Sequence, residues 1–163
     1  MSNYLIPLMV IVPMLCAILV NAFAKFNKSI KVLTFVVAIC LPIIPLISNY
    51  GLHFFGGYTP MVDNVTGVIY HPAITYSFDM LQQIFIAAIG LITFLVAFIY
   101  LSKYKKASGQ YLFLLFMGTA SVTALMLTDD IFNMFVFFEI LALVQVGIVI
   151  ASPMDYSYDC LLY

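Results

Sequence analysis

Charge is what this sequence has least of. Only 8% of its 163 residues are charged, 65% are hydrophobic, and its mean hydropathy is +1.15. Soluble domains carry roughly 25% charged residues to keep their surface in water. A water-facing fold is therefore excluded, and lipid is the solvent this chain suits. All six basic residues are lysines; they form no basic face along an element, so no nucleic-acid partner is expected. The net charge of −1 says little, because in a membrane the placement of charges matters and their sum does not. Cysteine is also sparse. Cys16, Cys40 and Cys160 are far apart, without a CxxC or a Cys/His grouping, so no metal, haem or iron–sulfur cluster is expected and the cysteines read as packing residues. No Ser/His, Asp/Asp or HExxH arrangement falls within the apolar runs, which leaves no catalytic residues and no cofactor to expect. Alternation of apolar and polar residues over about 10 positions is missing too, which argues against a β-barrel.

What the chain does have is five apolar runs, at 4–24, 30–49, 80–101, 110–128 and 131–151. Each is near the ~20 residues that carry a helix across a ~30 Å hydrocarbon core. The expectation is an all-α integral membrane protein with about five transmembrane helices. Residues 1–107 form a three-helix membrane segment, and residues 108–163 supply helices four and five with a short tail. The amino terminus lacks the basic flank of a signal peptide, so the first run should remain attached as a helix. Pro7, Pro13, Pro42 and Pro45 lie in the first two runs, where neighbouring helices can satisfy the carbonyls that proline frees.

The lysines fall in two clusters, Lys25, Lys28 and Lys31 between the first two runs and Lys103, Lys105 and Lys106 between the third and fourth. Cytoplasmic loops collect lysine. These two loops are thus expected inside, the amino terminus outside, the carboxyl terminus inside, and the chain a multi-pass protein of the cell (plasma) membrane. The long loop 50–79 then lies outside. Its glycines, its prolines and the β-prone stretch 65–70 predict an ordered loop or small hairpin. His53 and His71 sit there without an evident metal partner.

Six of the seven acidic residues, Asp63, Asp79, Asp129, Asp130, Asp155 and Asp159, fall in loops or at the ends of runs. Glu139 alone lies inside a run. It is eight residues past Ile131, about 12 Å along a helix and so near the bilayer midplane. Helical spacing puts Phe132, Phe135, Val136, Ala142, Leu143 and Val146 on its face, none of which can hydrogen-bond it. A charge at that depth costs ~2.5–3.5 kcal/mol. Its protonation should therefore respond to any cation, water or polar helix brought near, the property a proton-handling site needs; a permanently protonated residue bonded to an adjacent helix is the structural alternative. Asp129 and Asp130 could suggest an acid–base pair or an outside entrance, yet adjacent helical residues point about 100° apart. Capping of the following helix is the better account. In the fourth run, Gly118, Ala120, Ser121 and Ala124 suit close helix packing, while Thr119, Thr123 and Thr128 could bond water.

From Asp130 to Ile140 the chain reads DIFNMFVFFEI, which resembles the fifth-helix pattern of the antiporter-like subunits found in respiratory complex I, Mrp-type sodium/proton antiporters and membrane-bound energy-converting hydrogenases. Two further stretches are similar to that family: YSFDML at residues 76–81 resembles the start of its third helix, and GGYTP at residues 56–60 resembles a Gly-Gly-Trp-x-Pro loop of the Mrp and hydrogenase branch. The resemblance implies a role for Glu139 in proton translocation. It also implies about fourteen helices and an essential lysine on a broken seventh helix, neither of which these 163 residues supply. Tyr58 stands where the family has Trp, and the stretch from Pro60 to Asp79 is longer.

These observations lead to an expected membrane subunit of a multisubunit proton- or sodium-translocating redox or antiporter complex, itself without a catalytic centre. Its partners would be the bilayer and the other membrane subunits of a hydrogenase, antiporter or complex I-like assembly. The alternative is a scaffold subunit of the membrane arm with no ion turnover of its own.

Overall fold

The computed structural model describes residues 5–23, 27–48, 51–56, 61–62, 69–70, 74–104 and 108–151. Five helices follow the five apolar runs: α1 (Leu5–Ala22), α2 (Asn27–Ile47), α3 (Met80–Lys103), α4 (Gly109–Leu127) and α5 (Ile131–Ala151). Four of them, α2 to α5, are long and apolar enough to cross a membrane. The fifth, α1, is shorter than expected at 18 residues, with Pro13 inside it. At 1.5 Å per residue it reaches about 27 Å, just under the hydrocarbon thickness.

The chain is not purely helical. Between α2 and α3 run four short strands, β1 (Leu52–Gly56), β2 (Met61–Val62), β3 (Ile69–Tyr70) and β4 (Ile74–Phe78). β1 pairs antiparallel with β4, Leu52 opposite Phe78 and Gly56 opposite Ile74, while β2 pairs with β3. The pairings are nested, as in a single ribbon folded back on itself. Gly51, at φ 76°, makes the turn into β1, a left-handed backbone that only glycine adopts without strain. The ribbon follows from β-branched and aromatic residues set between glycines and prolines. His53 lies on β1 opposite Ser77. His71, residues 63–68 and the tail 152–163, with Asp63, Asp155, Asp159 and Cys160, fall outside the described residues.

In the bundle α1 packs chiefly on α4, α2 on α3, and α5 on α4. One buried cluster joins Ala17, Val20, Ile30, Val37, Ala38, Leu41, Ala97, Tyr100, Leu112 and Phe116. A second, at the strand end, joins Ile6, Met9, Val10, Phe78, Ile86, Ala124 and Leu127. α2 and α3 touch backbone to backbone at Gly90: a Cβ there would stand 2.7 Å from the Pro42 nitrogen and 2.8 Å from the Leu41 carbonyl carbon. Such small-residue contacts replace the hydrophobic driving force that lipid removes. Thr93 of α3 and Thr119 of α4 share a buried hydrogen bond of 2.9 Å. At the carboxyl end of α2, the Gln83 amide donates to the Pro45 and Ser48 carbonyls at 2.9 and 3.1 Å, acceptors that the end of a helix leaves without an intrahelical donor.

Candidate functional site

The turn from α4 to α5 consists of Thr128, Asp129 and Asp130. Asp130 occupies the N-cap of α5: its carboxylate accepts the Phe132 N–H at 3.2 Å and the Asn133 N–H at 3.4 Å, and its carbonyl accepts from Met134 at 2.9 Å. Asp129 does different work, and the two carboxylates do not act as a pair. Its N–H donates to the Thr75 carbonyl at 3.0 Å, and one carboxylate oxygen accepts the Ser77 hydroxyl at 2.8 Å. The Gln82 amide donates to that same Ser77 hydroxyl at 3.0 Å, and its carbonyl accepts the Asp79 N–H at the start of α3. Asn133 completes the cluster by donating to the Thr128 hydroxyl at 3.0 Å and the Tyr76 hydroxyl at 3.1 Å. A bridge between Tyr76 and Thr128 ties β4 to the turn. The starts of α3 and α5 are thereby held to one another by β4.

Sequence reasoning missed Tyr76, Ser77, Gln82 and Asn133. Asn133 did carry a signal: it is a polar residue at i+3 from the cap in an otherwise apolar run, where a helix brings both to one side. One of its partners, Tyr76, lies 57 residues away along the chain, and no local pattern announces it. Gln145, a third polar side chain on α5 and an exposed one, was also passed over.

Below the cap, α5 offers α4 a single stripe of contact. Asn133 and Val144 are buried, Phe137 packs on the strand-end cluster, and Gly147 leaves room for the Leu114 side chain, which a Cβ would meet at 3.0 Å. This spacing of 133, 137, 144 and 147 is one helical face.

Glu139 is two residues, about 200°, from Phe137 and points the other way. Its side chain is exposed, as are Phe132, Phe135, Val136, Ala142, Leu143 and Val146. The carboxylate expected at mid-span is not covered by the described residues of its own chain. The predicted stripe is real, but it lies on the side of α5 opposite α4. The reason is that the small residues and the polar cap both sit on the α4 side, the face of α5 that packs among the described residues. No Lys, Arg or His occurs in α4 or α5.

The threonines of the fourth apolar run go separate ways. Thr119 bonds Thr93 and the Leu115 carbonyl, and Thr128 belongs to the cap cluster. Thr123 borders a narrow gap shared with Met9, Pro13, Leu41, Pro45 and Gly90, where the proline-bearing helices α1 and α2 meet α4. Among the described residues no three His, Cys, Asp or Glu side chains converge as a metal site.

No protein-family model matches the chain. It is 37% identical over 158 residues to MJ1309, an uncharacterized protein of Methanocaldococcus jannaschii, an alignment that covers 96% of this chain and 31% of that protein. Its fold is similar to that of a chain in the membrane-bound sulfane sulfur reductase, an archaeal respiratory membrane complex, with a TM-score of 0.73 at 19% identity over 96% of this chain and 32% of that one. The chain thus spans about a third of the length of each of these two proteins, and its fold is similar to part of a chain of that membrane complex.

Proposed function

We propose that this chain is a membrane module of a multisubunit ion-translocating redox or antiporter complex, in which Glu139 is the protonatable residue presented to a neighbouring helix. The observation that carries this reading is the orientation of Glu139. A carboxylate near mid-depth on the unpacked face of a spanning helix is costly against hydrocarbon and is relieved by a cation, water or polar group on an adjacent element. Pairing across an interface that can shift is what makes a carboxylate's charge switchable. The similarity of residues 130–140 to the fifth helix of antiporter-like subunits supports the same reading, as does the fold shared with a chain of an archaeal respiratory complex. On this reading the lysine-bearing end of the bundle faces the cytoplasm and the β-ribbon faces outside.

A scaffold role is the competing reading, favoured by the lack of any basic residue in α4 and α5. One pair of variants separates the two. Glu139→Gln keeps the shape and hydrogen bonding of a neutral carboxyl but cannot release a proton. It is expected to assemble at normal abundance and to lose at least about tenfold in coupled ion flux per assembled complex, within the range that one proton-transferring group contributes. Glu139→Asp is expected to retain part of the flux. Full coupled flux in the Gln variant would make the chain a scaffold.

A further inference from the structure

The end of the bundle bearing Lys31 and Lys103 holds a groove that the reading of Glu139 does not use. It runs between α2 and α3, about 380 Å³ in volume, and is lined by Lys31, Val32, Phe35, Val36, Phe98, Leu101 and Ser102. Two helical stripes form its walls, residues 31, 32, 35 and 36 on one side and 98, 101 and 102 on the other. Deeper in the bundle Gly90 lets the two backbones touch, so no groove is possible there. Phe35, Phe94 and Phe98 make a rigid aromatic wall, with ring centroids 6.0 to 6.5 Å apart.

The polar groups gather at one end. Lys31 Nζ donates to the Tyr104 carbonyl at 3.2 Å, which holds the ammonium at the mouth beside Ser102 and leaves two of its three N–H donors for another acceptor. Tyr104 is itself positioned by Tyr100, whose ring lies 5.0 Å away and whose hydroxyl accepts the Ser108 N–H at 2.9 Å. The cation is therefore placed by the carboxyl end of α3, whereas a snorkelling lysine would follow the interface on a free stem.

We infer that this groove is a binding site for an anionic phospholipid, the phosphate resting on Lys31 and the upper part of one acyl chain lying along Val32, Phe35, Val36 and Phe98. The charge and shape both favour this occupant. A fixed cation stands at one end of an otherwise apolar trough, and the trough opens on the lipid-facing surface, where Val32, Val36 and Phe98 are half or more exposed. The volume lies within the ~300–1,000 Å³ of small-molecule sites. A soluble anion would gain one lysine and nothing from the aromatic wall, and a zwitterionic lipid would set its own cation against Lys31.

The sequence contains no tryptophan, so one introduced tryptophan is a clean reporter in the full chain reconstituted in vesicles. Phe98→Trp places it in the groove. Ile99→Trp places it at nearly the same depth on a neighbouring exposed face of α3. Fluorescence quenching is measured with brominated phosphatidylglycerol and brominated phosphatidylcholine. The Phe98→Trp protein is expected to prefer the anionic lipid about fivefold, equivalent to the ~1 kcal/mol that one lysine contributes at an anionic surface. The Ile99→Trp protein should show a ratio near one, and adding Lys31→Gln to Phe98→Trp should abolish the preference. Equal ratios at both positions, or a preference that survives Lys31→Gln, would overturn the site, the latter by assigning the effect to the general field of the lysine clusters. Should Phe98→Trp fail to fold, Val32→Trp reads the same groove from α2 with the same outcomes.

Discussion

α4 and α5 are consecutive, similarly long and joined by only three residues, yet nine of the 19 residues of α4 are buried within the chain and only two of the 21 in α5. Apolarity does not explain the contrast, since α5 is the more hydropathic of the two. Size does. α4 presents Thr119, Ala120, Ser121, Thr123 and Ala124, all buried, whereas the outward face of α5 is made of Phe132, Phe135, Phe138 and Leu143, each more than 60% exposed. Lipid tails solvate a phenylalanine as well as another helix does, so association in a membrane is driven by close backbone approach and interhelical hydrogen bonds, both of which small and hydroxyl-bearing residues supply. α4 is the hub of this unit. α5 is its edge, tied down along one stripe and by the polar cluster at its start.

Three substitutions would break or sharpen this contrast, all measured as the unfolding free energy of the purified chain in detergent. The largest effect is expected inside the bundle, at the contact of α3 with α2, where Gly90→Ala drives a Cβ into the backbone of α2. Neither the Pro42 nitrogen nor the Leu41 carbonyl carbon, at 2.7 and 2.8 Å, can swing aside as a side chain would. A loss of about 3 kcal/mol or more is expected, at or beyond the upper end of overpacking costs. A loss below about 1 kcal/mol would mean that α2 and α3 can separate freely. The intermediate effect belongs to the anchored side of α5: Asn133→Leu keeps the volume but removes the donor that bonds both the Tyr76 and Thr128 hydroxyls, two hydrogen bonds at about 1 kcal/mol each. No change there would detach the start of α5 from β4. The smallest effect on stability is expected at Phe135, 62% exposed on the Glu139 face, where Phe135→Ala should shift the free energy by no more than about 0.5 kcal/mol. If the face is covered by a neighbour, the same substitution lowers co-purification of that neighbour. A large loss of stability in the chain itself would show instead that α5 folds back on this bundle.

The helices were legible because length and apolarity are local properties. The run 131–151 coincides with α5, and the runs 80–101 and 110–128 differ from α3 and α4 by no more than two residues at either end. The capping role of Asp130 was legible for the same reason, since an N-cap acts within three residues of itself. The strands were only half legible, because whether a glycine-rich loop pairs with itself depends on register between segments some 20 residues apart. Asp129 could not be separated from Asp130 by sequence: its partners, the Thr75 carbonyl and Ser77 hydroxyl, come from β4.

Glu139 shows where the two kinds of information divide. The sequence by itself determined that the chain suits lipid, that its apolar runs are helices long enough to cross it, and that one carboxylate stands eight residues into the last run among phenylalanines, because bilayer thickness and the 1.5 Å helical rise convert residue number into length. It could not determine which way that carboxylate faces. α5 is apolar almost all round, so no amphipathic pattern chooses a packed side. That choice was made by the tertiary structure, through Asn133 bonded to Tyr76 and Thr128, Val144 packed near Gly118, and Gly147 against Leu114. These contacts turn one stripe of α5 toward α4 and leave Glu139 on the other.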